Sequence, residues 1–228
     1  MKLLADCRLY TFVDTAYLHG RTPEWVAQQL CDGGSDLIQL RAKTSTPAEV
    51  QAMAERILPI TRRAGVGLVI NDHLEVARAV GAEFCHLGQE DFFEAGYRLV
   101  SEIRNPKSEI RNSKSKDQGA RAEAGLRIGL STHAPAEAQR ALSAGADYVA
   151  MGPVFATKTK PTARPVTLEY VRWAAANATV PWFAIGGINL ETLASVMAAG
   201  AQRICVVSAI LNAPDVAEAC AEFRRRLV

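Results

Sequence analysis

The stretch Ala141-Leu142-Ser143-Ala144-Gly145-Ala146-Asp147-Tyr148-Val149-Ala150-Met151 decides the fold. An amphipathic run ends at a glycine, a small and a polar residue follow, and a short apolar run begins. A glycine there ends a helix cheaply, because it adopts φ > 0 without steric cost. The apolar run has the length of a buried parallel strand. The same mark recurs as Gly34-Ser35-Asp36 before Leu37-Ile38, as Gly81-Ala82-Glu83 before Phe84-Cys85, and as Gly200-Ala201-Gln202 before Arg203-Ile204-Cys205-Val206-Val207. Helix, glycine stop and buried strand make half of a βα unit, written four times.

Working outward, the marks place strands at Arg8–Val13, Leu37–Leu40, Gly67–Ile70, Phe84–Leu87, Arg127–Leu130, Tyr148–Met151, Trp182–Ile185 and Ile204–Val207. Helical stretches separate them, among them Pro47–Ala64, Pro135–Ala144, Leu168–Ala176 and Leu190–Ala199. Eight strands alternating with helices predict an α/β chain, a single (β/α)8 TIM barrel in one domain over residues 1–228. A doubly wound open sheet is the alternative, but at this length it normally has fewer strands. One segment breaks the pattern. Ser101-Glu102-Ile103-Arg104-Asn105-Pro106-Lys107 is repeated nearly verbatim as Ser108-Glu109-Ile110-Arg111-Asn112-Ser113-Lys114, and polar residues follow to Gly125. One apolar position per copy does not bury a helical face. Residues 101–125 therefore read as a flexible polar insertion between helix 4 and strand 5, on the barrel face away from the site.

Nearly half of the 228 residues are apolar and the net charge is +2, an ordinary globular balance. No basic run with interleaved aromatics points to nucleic acid. No stretch of about 20 apolar residues points to a membrane span, and the start lacks a signal-peptide core. Cys7, Cys31, Cys85, Cys205 and Cys220 are odd in number and widely spaced. They read as free thiols in a reducing compartment, hence a cytoplasmic protein, rather than as zinc ligands or disulfides. The sequence leaves open whether the chain forms a homo-oligomer.

In such a barrel the chemistry belongs at the C-terminal ends of the strands. Strand two ends Gln39-Leu40-Arg41-Ala42-Lys43, whose alternating polar residues share one side. Two cations there invite an anionic guest such as a diphosphate; a solvated strand end with an ordinary salt bridge is the bland alternative. Strand three ends Ile70-Asn71-Asp72, and strand four runs into Gly88-Gln89-Glu90-Asp91. Asp72 and Asp91, brought together on adjacent strands, fit a magnesium held by few protein ligands; helix capping explains them equally well. After strand six, Thr157-Lys158-Thr159-Lys160 makes a candidate phosphate clamp, and an ordinary surface loop looks the same. Gly186-Gly187 after strand seven and Val207-Ser208 after strand eight lie where this fold binds phosphate through backbone amides. Two phosphate sites and a metal site around one mouth point to a diphosphate and a monophosphate substrate.

Taken together, these motifs resemble those of thiamine-phosphate synthases, as do His86–Asp91, Gly129-Leu130-Ser131-Thr132-His133 and Val207-Ser208-Ala209-Ile210. The resemblance covers nearly the whole chain apart from 101–125. It implies a Mg2+-dependent transferase that joins a hydroxymethylpyrimidine diphosphate to a thiazole phosphate, two small-molecule substrates. Gln39, Arg41, Lys43 and Asn71 would contact the pyrimidine diphosphate, Asp72 and Asp91 the magnesium, and Ser131 the aminopyrimidine. Lys160 would reach the leaving pyrophosphate; Thr157, Thr159, Gly187, Val207 and Ser208 would bind the thiazole phosphate. Arg41, Lys43, Lys160 and Ser131 are the expected catalytic residues.

The resemblance also implies a dissociative path through a pyrimidinylmethyl cation, with no protein nucleophile. Ala42 and His73 depart from the residues most common in the family, at positions without an assigned role.

A related thiazole tautomerase on the same barrel is the nearest rival, with His133 as its proton carrier; it has little need for Asp72, Asp91, Arg41 and Lys43. A non-catalytic phosphate-sensing barrel would have lost those residues. His19 reads as a loop residue and His86 as a partly buried residue of strand four. Trp25, Trp173 and Trp182 read as core and helix-packing residues.

Overall fold

The structure, a computed structural model, describes residues 2–104, 125–157, 159 and 164–227. Eight parallel strands close into a barrel in chain order: β1 (Leu9–Asp14), β2 (Leu37–Arg41), β3 (Gly67–Asn71), β4 (Phe84–Gly88), β5 (Arg127–Thr132), β6 (Tyr148–Met151), β7 (Trp182–Ile185) and β8 (Ile204–Cys205). Closure comes from β1 pairing with β8 through Leu9↔Ile204 and Tyr10↔Cys205. The helices are α1 (Pro23–Asp32), α2 (Pro47–Ala64), α3 (Leu74–Val80), α4 (Gln89–Glu94), α5 (Val100–Arg104), α6 (Pro135–Ser143), α7 (Thr167–Asn177), α8 (Leu193–Ala198), α9 (Ser208–Leu211) and α10 (Val216–Arg226). The expected barrel is therefore the observed one, with strand ends shifted by one or two residues.

The sequence mark works as expected at its glycine. Gly34, Gly81, Gly145 and Gly200 all have positive φ, between 68° and 103°. Its polar residue has a further use. Asp36 Oδ2 accepts from the amides of Arg8 and Leu9 at 2.8 and 3.1 Å. Glu83 Oε2 accepts from Leu68 N at 3.1 Å, and Asp147 Oδ2 from Ile128 N at 2.7 Å. Each acid thus ties its own strand to amides in or beside the first two residues of the strand before it, at the N-terminal face. Each also meets a cation: Lys2 and Arg224 at Asp36, Arg62 at Glu83, Arg104 at Asp147. Burial alone would push the Asp36 carboxyl up, yet the Lys2 ammonium, two backbone amides and Arg224 hold it below its ordinary value.

Local signals set the helices. In α2 the Thr46 hydroxyl and the Glu49 side chain form a reciprocal capping box, Pro47 occupies the first turn, and Gly65 ends the helix in the left-handed region. Val50, Ala54, Ile57, Leu58 and Thr61 bury the face turned to the barrel. Apolar residues fall into two layers. The larger lies between strands and helices; the smaller fills the barrel interior with Tyr10, Phe12, Leu37, Val69, Phe84, Tyr148, Phe183 and Cys205. Gly129 makes room there, since a Cβ on it would lie 2.1 Å from the Tyr148 ring.

Two sequence expectations change. The insertion does not begin at Ser101: Val100–Arg104 is α5, and Val100 and Ile103 are each 1% exposed. The first repeat copy can bury its isoleucine because Val100, outside the repeat, supplies the second apolar position at i−3. Residues 105–124 of the expected insertion lie outside the described residues. Trp25, expected in the packing, is 43% exposed on α1 with the Arg21 guanidinium 5.6 Å from its ring centre. Trp182 is buried, and Trp173 stacks on Tyr170.

Candidate active site

One cavity opens at the C-terminal end of the barrel. Its walls include Gln39, Arg41, Lys43, Asn71, Asp72, Asp91, Ser131, Thr157, Thr159, Gly187, Val207 and Ser208. Every expected site residue among the described ones is therefore at one mouth. Lys160 and Lys158 lie outside the described residues.

The cationic corner is ordered by carboxylates. Arg41 Nη1 donates to Asp14 Oδ2 at 2.7 Å, and Asp14 is 1% exposed at the end of β1, in register with Arg41. Asp14 Oδ1 accepts from Ala16 N at 3.0 Å, capping the short turn Thr15–Tyr17. A buried carboxylate with both oxygens engaged is itself held in place, and it anchors one end of the guanidinium. Lys43 pairs with Asp72 Oδ2, which also accepts from Asn71 Nδ2 at 2.7 Å. Asp72 Oδ1 has no hydrogen-bond partner among the described residues.

Neither aspartate caps a helix. Asp72 precedes the N-cap of α3, His73, at the unusual φ of 63°, and Asp91 lies inside the first turn of α4, whose N-cap is Gly88. Asp91 is exposed, and its Oδ2 lies 2.5 Å from where a Cβ on Gly88 would stand. Glycine at 88 is thus what lets the carboxylate lean over the end of β4. Among the described residues no three His, Cys, Asp or Glu side chains gather as a ready metal cage. Two hard oxygen donors fit magnesium only if substrate oxygens and water supply the rest.

Across the mouth, Thr157 Oγ1 accepts from Thr159 N at 3.3 Å, and the Thr159 hydroxyl meets Tyr17 OH at 3.1 Å. The glycine pair serves this loop too. A Cβ on Gly186 would lie 2.3 Å from Pro153, and one on Gly187 2.7 Å from the Ala156 carbonyl. Val154 N and Phe155 N donate to the carbonyls of Ile185 and Gly186 at 2.8 and 3.0 Å. The two loops therefore lie backbone against backbone, and Val207 and Ser208 open α9 beside them.

Several lining residues went unread in the sequence. His86, expected only as a partly buried strand residue, is 6% exposed, faces the cavity and bonds Ser131 Oγ through Nε2 at 2.9 Å. Tyr10 and Tyr148 lie beneath it; burial pushes both phenols well above their ordinary pKa, so both stay neutral. Alternation within their own strands was the available signal: Tyr10 shares an inner side with Phe12 on β1, and His86 with Phe84 and Gly88 on β4. Asp14 was missed because the first strand was ended at Val13. His133 lines the cavity with its Nδ1 donating to the Gly152 carbonyl. His19 is an exposed loop residue bonded to Asn212 at 2.8 Å.

Residues 9–210 match the family model described as thiamine monophosphate synthase. A thiamine-phosphate synthase of Thermus thermophilus is 42% identical over 196 residues, 86% of this chain and 84% of that protein. One from Halalkalibacterium halodurans is 37% identical over 221 residues, 96% and 95% of the two chains. Among solved structures, a thiamine phosphate pyrophosphorylase from Pyrococcus furiosus superposes with a TM-score of 0.80 at 27% identity, covering 99% of this chain and 98% of that one.

Proposed function

The chain belongs to the thiamine monophosphate synthase family, a transferase family whose activity it shares, and we propose that it works through Mg2+ and the residues of this single cavity. The observation that carries the reading is the gathering of Arg41, Lys43, Asp72 and Asp91 at one side of a mouth whose other side is Thr157, Thr159, Gly187, Val207 and Ser208. A diphosphate suits the first side and a monophosphate the second.

Magnesium bound by Asp72 and Asp91 would neutralise charge on the diphosphate oxygens. Arg41, anchored at Nη1 by Asp14, presents its remaining N–H groups to the same oxygens. Lys43 can leave Asp72 for the phosphate, since both contacts are ionic and the lysine is exposed. Gln39, Asn71 and Ser131 orient the pyrimidine, and the charge of Lys160 would serve the leaving group. The C–O bond to the pyrimidinylmethyl carbon breaks, pyrophosphate takes the electron pair, and the thiazole nitrogen supplies the pair for the new C–N bond. This is catalysis by position and charge, needing no protein nucleophile.

No observation favours the tautomerase or the phosphate sensor. Among the described residues no helix is long and apolar enough to cross a membrane, and all five cysteines are free. Free thiols support a reducing, cytoplasmic setting.

Purified protein given both substrates and magnesium tests the reading. Thiamine phosphate should form, and should be lost without magnesium and in Asp91→Ala. Product that survives Asp91→Ala would remove the metal assignment; no product under any condition would remove the mechanism and its site.

A further inference from the structure

Gln39 and Ser131 reach the cavity from β2 and β5, and a chain of hydrogen bonds joins them through the barrel interior. Gln39 Nε2 lies 2.5 Å from Tyr10 OH, which lies 3.3 Å from Tyr148 OH. Tyr148 OH lies 3.3 Å from His86 Nδ1, and His86 Nε2 lies 2.9 Å from Ser131 Oγ. Gln39, Tyr10, Tyr148 and His86 are all 6% exposed or less.

Counting protons gives each bond a direction. An amide nitrogen can only donate, so Tyr10 OH accepts from Gln39. The single Tyr10 proton then goes to Tyr148, and the single Tyr148 proton to His86 Nδ1. His86 carries its own proton on Nε2 and donates it to Ser131 Oγ. Two ends remain for a ligand: the Ser131 proton, a donor, and Gln39 Oε1, an acceptor with no partner among the described residues. Reversing one bond requires reversing all four, because a buried hydroxyl left without a partner costs roughly 1–3 kcal/mol.

We propose that Tyr10, Tyr148 and His86 are positioning residues that set substrate specificity, holding Gln39 as acceptor and Ser131 as donor toward the cavity. That pair suits a ring edge on which an amine adjoins a bare ring nitrogen. It opposes the corresponding oxo ring, which presents a carbonyl beside an N–H. The inference rests on the pyrimidine reading of this cavity and adds the reason why an aminopyrimidine is taken and an oxopyrimidine refused.

The test compares kcat/KM for the 4-amino pyrimidine diphosphate and its 4-oxo counterpart in wild type, Tyr10→Phe and Tyr148→Phe. The wild type should prefer the amine by on the order of 10³-fold or more, since polar mismatches of this kind discriminate strongly. Each Phe variant should shrink that ratio about tenfold or more by freeing the Gln39 amide or uncoupling His86. Equal losses on both substrates, as a merely structural role predicts, overturn the proposal, as does a wild type indifferent to the two rings. Nitrogen-15 NMR of wild-type His86 decides the point without turnover or variants: a protonated Nε2 with bare Nδ1 supports the chain, and a protonated Nδ1 overturns it. Absence of product from either diphosphate sinks the proposed mechanism and its site, and the His86 tautomer then judges the chain alone.

Discussion

Replacing Gly88 by alanine separates the placement of Asp91 from the stability of the barrel. Gly88 has φ −60° and ψ 138°, which any residue adopts, so the backbone offers no objection. The new Cβ would stand 2.5 Å from Asp91 Oδ2 and 3.3 Å from its Cγ. The carboxylate is the end of an exposed side chain and can turn away, so unfolding should shift by no more than about 0.5 kcal/mol. The displacement needed is nevertheless roughly 1 Å, a misplacement that can cost on the order of 10²-fold in rate when the group is aimed at a reacting centre. Titrating magnesium into the synthase assay should show a midpoint raised about tenfold or more and a lower maximum, with an unchanged melting temperature. A Gly88→Ala protein with the wild-type magnesium midpoint and rate would refute the placement of Asp91 as a ligand. A large fall in melting temperature would refute the claim that only the carboxylate moves.

Three further outcomes follow from the same geometry. Asp14→Asn keeps the cap on Ala16 but leaves Arg41 without its counter-charge; KM for the pyrimidine diphosphate should rise while that for the thiazole phosphate holds. The stability loss should be about 2 kcal/mol by denaturant titration, below the usual 3–5 for a buried pair because Arg41 keeps 19% exposure. Gly129→Ala drives a Cβ into the Tyr148 ring, and thermal unfolding should show a loss of about 3 kcal/mol or failure to fold. Asp36 has a folded pKa below its ordinary 3.8, so its contribution is fully present above that value and is lost as pH falls through the folded one. Denaturant titrations below about pH 4 should therefore show a shallower acid loss in Asp36→Asn than in the wild type, from a lower starting stability.

The barrel was legible because its punctuation is chemical. A glycine that must take φ > 0 and an apolar run that must be covered on both faces each leave a mark in the sequence, and four such marks fix the period. The Asp36, Glu83 and Asp147 amide contacts were not legible from the same mark. They depend on which strand lies alongside, and only the folded register brings an acid before one strand to an amide near the start of another. The fate of Ser101–Arg104 failed for the opposite reason: the repeat was weighed as a unit, while burial of Ile103 depends on Val100 just outside it.

The candidate site divides along the same line. The residues proposed to meet a ligand stand at or just past strand ends, where a polar or charged side chain in an otherwise apolar stretch is visible, and Gln39, Arg41, Asp72 and Asp91 were read that way. Residues that orient them are hidden by their own suitability for a core. Tyr10 and Tyr148 pass as barrel filling, and by area they are; only their hydroxyls, meeting at 3.3 Å between β1 and β6, have a second use. No spacing along the chain reports a contact between residues 138 positions apart. Asp14 is intermediate, since its charge was visible but its partner was not. A carboxylate at the end of a buried strand is costly unless something cationic meets it. Applied to β1 as it was to β2, that argument would have paired Asp14 with the nearest cation on the neighbouring strand, Arg41. The rule that follows for barrels of this kind is to read each strand end against the next strand's, because the charge proposed to bind a substrate, Arg41, and the charge that anchors it, Asp14, lie in register on adjacent strands.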